Sequence, residues 1–176
     1  VITGGVLRSD SIRIALTKIP ADFEYVLVHD AARAIASIEL AKNIVTELAK
    51  GEQAVIPALD VVDTMKEVDT SGYVRSTPDR STLRAVQTPQ GFVKSVLAHA
   101  HSSSEDATDD AALVEAIGIK VKVIAGEERA LKITAKSDLT RAVQILLPNT
   151  EKQIRVGIGT DAHAFSSDSS RKLWLA

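Results

Sequence analysis

The chain has 176 residues, 45% of them hydrophobic and 25% charged, which is enough for one core with a short appendage. A formal net charge of −2 with both signs interspersed gives no electrostatic footprint for nucleic acid or an anionic membrane, and the absence of cysteine excludes disulfides and thiolate metal sites. No apolar run approaches the ~20 residues that cross a bilayer, and the opening VITGGVLRSD lacks the regions of a signal peptide, so a cytoplasmic location is the expectation.

Val1 to Thr3 reads as the end of an apolar strand and Gly4-Gly5 as a turn. From Ser9 to Lys18, the residues Ile12, Ala15, Leu16 and Ile19 follow helical spacing. Tyr25–Val28 is a short apolar strand that ends in His29-Asp30-Ala31-Ala32-Arg33. Ser37 can cap a helix with Ile38, Ala41, Ile44, Val45 and Leu48 on one stripe and Gly51 as its stop. Ala54–Ala58 is a second buried strand. Between Val61 and Pro89 apolar residues are sparse and Asp69-Thr70-Ser71-Gly72 forms a hairpin-type turn, so this stretch reads as a projecting arm. Helical spacing returns at Phe92, Val93, Val96 and Leu97, then at Ala111–Val114 up to Gly118. Lys120 to Ile124 alternates like a strand, Ala130 to Ile133 reads as another, and Ser137 can cap a helix to Leu147.

This alternation predicts an α/β fold, with a mostly parallel, Rossmann-like sheet, helices on both faces and a β-arm. The polar joint Asn149–Lys152 leads to a new strand at Ile154–Gly157, dividing the chain into 1–148 and an appendage, 149–176.

In open α/β sheets ligands bind beyond the carboxyl ends of the strands, which is where Asp30 and Arg33 fall. The two alanines leave room, and an arginine can meet a phosphate through paired hydrogen bonds. A helix-capping Asp with an exposed Arg fits the same spacing. Thr108-Asp109-Asp110 reads as an N-cap with acids in the first turn, or alternatively as a metal carboxylate pair. Lys132 ends the strand-like 130–133 run at a turn into a helix. Asp63-Thr64-Met65-Lys66 and Asp79-Arg80 lie on the arm, where subunit contact and plain solvation are both open.

Taken in order, GGVLRSDSIR, VHDAAR, DTMK, DR with QTPQGF, TDDAALVE, and LKIT with SDL resemble the 2-C-methyl-D-erythritol 4-phosphate cytidylyltransferase family over residues 1 to about 147. The resemblance implies a Mg²⁺-dependent reaction of CTP with methylerythritol phosphate, giving the CDP-alcohol and pyrophosphate. It implies nucleotide contacts at Gly5, Ser11 and Ala31, with Gly5 and Ser11 on the cytidine. It also implies Asp30 and Arg33 beside the sugar phosphate, and Lys132 at the α-phosphate. Lys132, Asp30 and Arg33 form the implied catalytic set. Thr64 and Arg80, with Lys66 close by, are implied to reach the substrate of a neighbouring subunit in a homodimer built through the arm.

Ala34 stands where the family motif has proline. The family's first strand, its PAAGxGxR-type loop and its PK lysine have no counterpart in the chain, so the chain by itself is expected to be inactive. IRVGIGTDAHAF and RKLWLA resemble the opening of 2-C-methyl-D-erythritol 2,4-cyclodiphosphate synthase, which implies a divalent metal, commonly Zn²⁺, at Asp161 and His163 and a bifunctional enzyme. Two alternatives remain: a cytidylyltransferase for another polyol phosphate such as ribitol phosphate, and a non-catalytic nucleotide-binding or dimerisation module.

Overall fold

The computed structural model describes residues 2–102, 107 and 109–147. Its sheet is built around Ala54–Asp60 (β2), whose first five residues are buried. A near-continuous apolar run is what a strand covered on both faces requires. Lys122–Ala125 (β7) lies parallel to β2 on one side. On the other side Gln90–Val93 (β6) opposes Ala54-Val55, and Arg84–Val86 (β5) opposes Ala58–Asp60. Tyr25–Val28 (β1) closes that edge against β6, again antiparallel. Three strands, β1, β2 and β7, therefore point one way, and the β5–β6 run is inserted in reverse between β1 and β2. The Pro57 carbonyl accepts the Gln87 N–H at 2.8 Å where pairing passes from β6 to β5. Pro57 thus enters this pairing through its carbonyl and has no N–H to return the bond.

Helices cover both faces, as the alternation of strands and helices predicts. Ile38–Ala49 (α2) is capped by Ser37, whose hydroxyl accepts the Leu40 N–H at 3.0 Å, and it buries Leu40, Ile44 and Leu48 against Val55. The opposite face buries Phe92 and Ala54 beneath Lys94–Ala100 (α3) and Asp110–Ala116 (α4), with Ile12 and Leu16 of Arg8–Leu16 (α1) packed alongside. Full burial of residues such as Phe92, Ile44 and Leu97 contributes ~1.5–3 kcal/mol each. Glu67–Val68 (β3) and Val74–Ser76 (β4) form a separate ribbon, and Lys136–Leu146 (α5) ends the described chain. No helix among the described residues is long and apolar enough to cross a membrane.

Five expectations from sequence are corrected. Residues 2–7 form no strand: Gly4-Gly5 fold back on α1, and a Cβ on Gly5 would lie 2.2 Å from the Asp10 Cβ. Phe92 and Val93 belong to β6, and α3 starts at Lys94; an apolar run this short cannot be told from a helix segment by periodicity alone. Residues 130–133 form no strand; Glu128–Ala130 is a 3₁₀ turn, and the segment bonds to residues 32–35. Ala135, not Ser137, is the N-cap of α5, and Asp138 at the third helical position reaches back to take the Thr134 and Ala135 N–H groups at 3.0 and 2.9 Å. The arm is shorter than 61–89, since β5 joins the main sheet.

Asp109 caps α4 by accepting the Ala112 N–H at 2.9 Å, while Asp110 is buried between Arg8 at 2.6 Å and His101 at 2.8 Å. With each carboxylate held by different partners, the metal-pair alternative has no support. The strand at 154–157 and the pair Asp161 and His163 lie outside the described residues.

Candidate active site

The chain leaves β1 at His29-Asp30, and the first constraint on the acid comes from the β5–β6 junction. The Thr88 hydroxyl oxygen accepts the Asp30 N–H at 2.9 Å and lies 3.0 Å from His29 Nδ1. One buried hydroxyl thereby fixes both residues: it accepts from Asp30, and its proton is free to go to the imidazole. Asp30 Oδ2 then meets Lys132 Nζ at 3.1 Å and Arg33 Nε at 3.8 Å.

These two cations are not equivalent. The Lys132 side chain is 51% exposed, whereas that of Arg33 is 12% exposed. Arg33 donates Nη1–H to the Ala130 carbonyl at 2.7 Å and Nη2–H to the Val86 carbonyl at 3.3 Å. Burial pulls its pKa down, and the Asp30 carboxylate opposes that fall. The sequence suggested a guanidinium turned toward a phosphate; here most of its reach is spent tying β5 to the segment that carries Lys132. Lys132 is left as the charge that faces outward.

Beyond β7, the Gly126 N–H donates to the Ala58 carbonyl at 2.8 Å. The Gln87 amide then clasps Glu127, accepting its N–H at 3.0 Å and donating to its carbonyl at 2.9 Å. An open cleft of about 480 Å³ lies here at the carboxyl ends of β2 and β7, lined by residues that include Ala58, Asp60, Arg84, Ile124 and Gly126. Asp60 and Arg84 pair across it at 3.2 Å.

At the amino end, Gly5 and Ser11 are brought together: the Gly5 N–H donates to Ser11 Oγ at 3.0 Å. Arg8, reaching Asp110, ties that segment to α4. Ala31 is exposed next to Asp30. Thr64 and Lys66 are exposed on the arm, where Lys66 Nζ donates to Thr77 Oγ1 at 2.7 Å. Arg80 Nη1 donates to the Val62 carbonyl. None of these three arm residues bonds to Asp30 or Lys132.

Sequence reasoning missed Thr88, Gln87 and Glu127. The first two sit in the QTPQ motif, whose position directly before β6 was the available signal. Glu127 had none, because its partners are 40 and 90 residues away.

The family model for 2-C-methyl-D-erythritol 4-phosphate cytidylyltransferase matches residues 1–147. Over 146 residues the chain is 51% identical to the enzyme of that name from Nocardia farcinica, covering 83% of this chain and 63% of the relative. It is 43% identical over 180 residues to the bifunctional enzyme IspD/IspF of Nitratidesulfovibrio vulgaris, covering 98% of this chain and 44% of that one. Among solved structures, the Thermus thermophilus cytidylyltransferase superposes with a TM-score of 0.71 at 37% identity, over 80% of this chain and 70% of that one. The bifunctional IspDF of Campylobacter jejuni gives 0.68 at 34%, over 80% and 36%. The chain thus spans a little under two thirds, 63%, of the length of the Nocardia and Rhodococcus cytidylyltransferases it matches. On the match across 1–147, the chain belongs to the 2-C-methyl-D-erythritol 4-phosphate cytidylyltransferase family.

Proposed function

We propose that this protein transfers CMP from CTP to 2-C-methyl-D-erythritol 4-phosphate, releasing pyrophosphate. The observation that carries the reading is the Asp30–Lys132 pair: a half-exposed ammonium held at 3.1 Å by the carboxylate of a residue whose backbone N–H bonds to Thr88, at the carboxyl end of β1. Phosphoryl transfer asks for positioning and neutralisation of developing charge more than covalent help. A phosphate oxygen of the acceptor attacks the α-phosphorus of CTP in line, and the bond to the pyrophosphate oxygen breaks. Lys132 neutralises charge on the non-bridging α-oxygens. Asp30 holds Lys132 in place, and Arg33 fixes the segment on which Lys132 stands.

Among the described residues no group of three metal-ligating side chains occurs. Asp30 Oδ1, however, has no ion-pair or hydrogen-bond partner among the described residues, so Asp30 is the residue that would hold a Mg²⁺ ion. That ion supplies further neutralisation of the triphosphate.

The protein acts in this reading as a homodimer, with Thr64, Lys66 and Arg80 of one arm completing the neighbour's acceptor site. The exposed apolar residues of the arm support this, Val62 at 76% and Tyr73 at 75% among them. Similarity to a bifunctional enzyme over 98% of the chain supports a second, cyclising activity that begins in 149–176, with Asp161 and His163 as ligands of a zinc-type metal.

The test is product formation by the full-length protein with CTP and Mg²⁺, followed by ³¹P NMR. A CDP-alcohol should form with methylerythritol phosphate and not with ribitol 5-phosphate. The reverse preference would reassign the acceptor; CTP binding without turnover of either would favour a non-catalytic module.

A further inference from the structure

Lys132 stands on a segment, 127–133, whose only regular structure is one 3₁₀ turn. What holds it is a run of cross-links to residues 30–37 in antiparallel order. The Glu127 carboxylate accepts the Ser37 N–H and, at 2.8 Å, the Ser37 hydroxyl. Arg129 Nε donates to the Ile35 carbonyl at 2.9 Å. The Ala130 carbonyl accepts Arg33 Nη1 at 2.7 Å, the Ile133 N–H donates to the Ala32 carbonyl at 2.8 Å, and Lys132 meets Asp30 at 3.1 Å.

The two ends of this run differ in strength. Next to Lys132 itself, at 132 and 133, the ties are one backbone bond and an ion pair between partly exposed groups, and exposed pairs are weak; the Arg33 bond to Ala130 lies two residues back. At the far end Glu127 makes two charge-assisted bonds to a residue that is itself fixed, because Ser37 Oγ also caps the 12-residue helix α2. The carboxylate lies at the amino end of that helix, where the dipole favours negative charge. The Gln87 clasp on the Glu127 backbone removes the remaining freedom at this end.

We infer that Glu127 is a positioning residue for Lys132: by locking the segment to the start of α2, it sets where the ammonium stands relative to Asp30 and the transferred phosphate. The inference rests on the reading of Lys132 as the cation at that phosphate. It assigns to Glu127 no contact with substrate.

The test is a double-mutant cycle in the full-length protein. Glu127→Ala should lower kcat by about tenfold, a fraction of the ~10²–10³ expected on removing Lys132 itself, with KM for both substrates changed by less than about threefold. Glu127→Gln, which keeps an acceptor for the Ser37 N–H, should recover most of the rate. In a Lys132→Ala background the Glu127→Ala change should cost nothing further, since coupled residues are non-additive. An equal loss with and without Lys132, or an effect confined to KM, would overturn the inference.

A readout independent of turnover is the reactivity of Lys132 toward acetic anhydride, measured by mass spectrometry against exposed Lys42. It should rise severalfold in Glu127→Ala; unchanged reactivity overturns the inference whether or not the protein turns over CTP. Should Glu127→Ala fail to fold, Glu127→Asp, which keeps the charge and shortens the reach, carries the same expectations.

Discussion

Two basic side chains meet one carboxylate at Asp30, and their surroundings separate their roles. Arg33 is largely buried and bonded to two backbone carbonyls, from β5 and from the segment after β7, so its removal leaves the carbonyl of fully buried Ala130 without this partner. Such a loss costs ~1–3 kcal/mol of stability. Lys132 is half exposed and among the described residues pairs with Asp30 alone, so its removal disturbs little of the fold. In the full-length protein Lys132→Ala should therefore lower kcat ~10²–10³-fold with little change in melting temperature. Arg33→Ala should lower both kcat and the melting temperature. Paired steady-state kinetics and thermal melts of the two variants check the contrast; equal destabilisation would show that Lys132 is also structural. Arg33 was legible from sequence because it follows the apolar run of β1, whereas the role of Lys132 entered only through the family resemblance, since residues 130–133 form no strand. The inward turn of Arg33 was not, since its acceptors are backbone carbonyls that only the fold brings near.

At the scale of elements, β1, α2 and β2 were readable because each states one period clearly between good caps and stops. The element that joins them, β6, was hidden: Gln90-Gly91-Phe92-Val93 has a glycine where a strand usually places a side chain. The structure gives the reason for that glycine. A Cβ at Gly91 would lie 2.2 Å from Ile44 Cγ2 and 3.1 Å from side-chain carbons of both Leu27 and Leu48, so α2 packs directly onto the β6 backbone. Gly91→Ala should destabilise the protein by ~1–3 kcal/mol through overpacking, measurable as a lower urea midpoint with unchanged slope. At the end of the described chain, the α5 cap lies two residues before Ser137: Ala135 holds the cap position without a polar side chain, and Asp138, three residues on, reaches back to its N–H. The Thr134 and Ala135 N–H groups and the Thr134 hydroxyl hold the Asp138 carboxyl below the usual range. A native pKa below the unfolded value stabilises fully above the ordinary ~3.9, and that stabilisation is lost as pH falls through the lowered native value. Asp138→Ala should thus be less stable than the parent protein in urea melts at neutral pH, with the gap closing as the pH falls below that native value. A gap independent of pH would remove the carboxylate from the account.

For the whole molecule, the question is what the arm does, because among the described residues its ribbon joins no strand of the main sheet. The β3–β4 ribbon pairs with no other strand, and two strands alone are at best marginal in water. Local ties define its shape: Arg80 to the Val62 carbonyl, Lys66 to Thr77 and Ser76 to Glu67. Val62, Val68, Tyr73 and Val74 are each more than half exposed, an apolar display on one small projection of the kind that marks an interaction surface. With Thr64, Lys66 and Arg80 on the same projection and unconnected to Asp30, the proposed dimer places one subunit's arm at the other subunit's Asp30–Lys132 pair. Sharing of this kind can be read out by complementation in the full-length protein. Arg80→Ala and Asp30→Ala homodimers should each be inactive, because every site carries one defect. In a heterodimer of the two, one site combines both defects and the other has neither, so activity should return to about half that of the parent dimer for a two-fold arrangement. The measurement is CTP turnover by heterodimers isolated with two different affinity tags. No recovery in verified heterodimers would place Arg80 and Asp30 in the same site of one subunit and leave the arm with an architectural role alone.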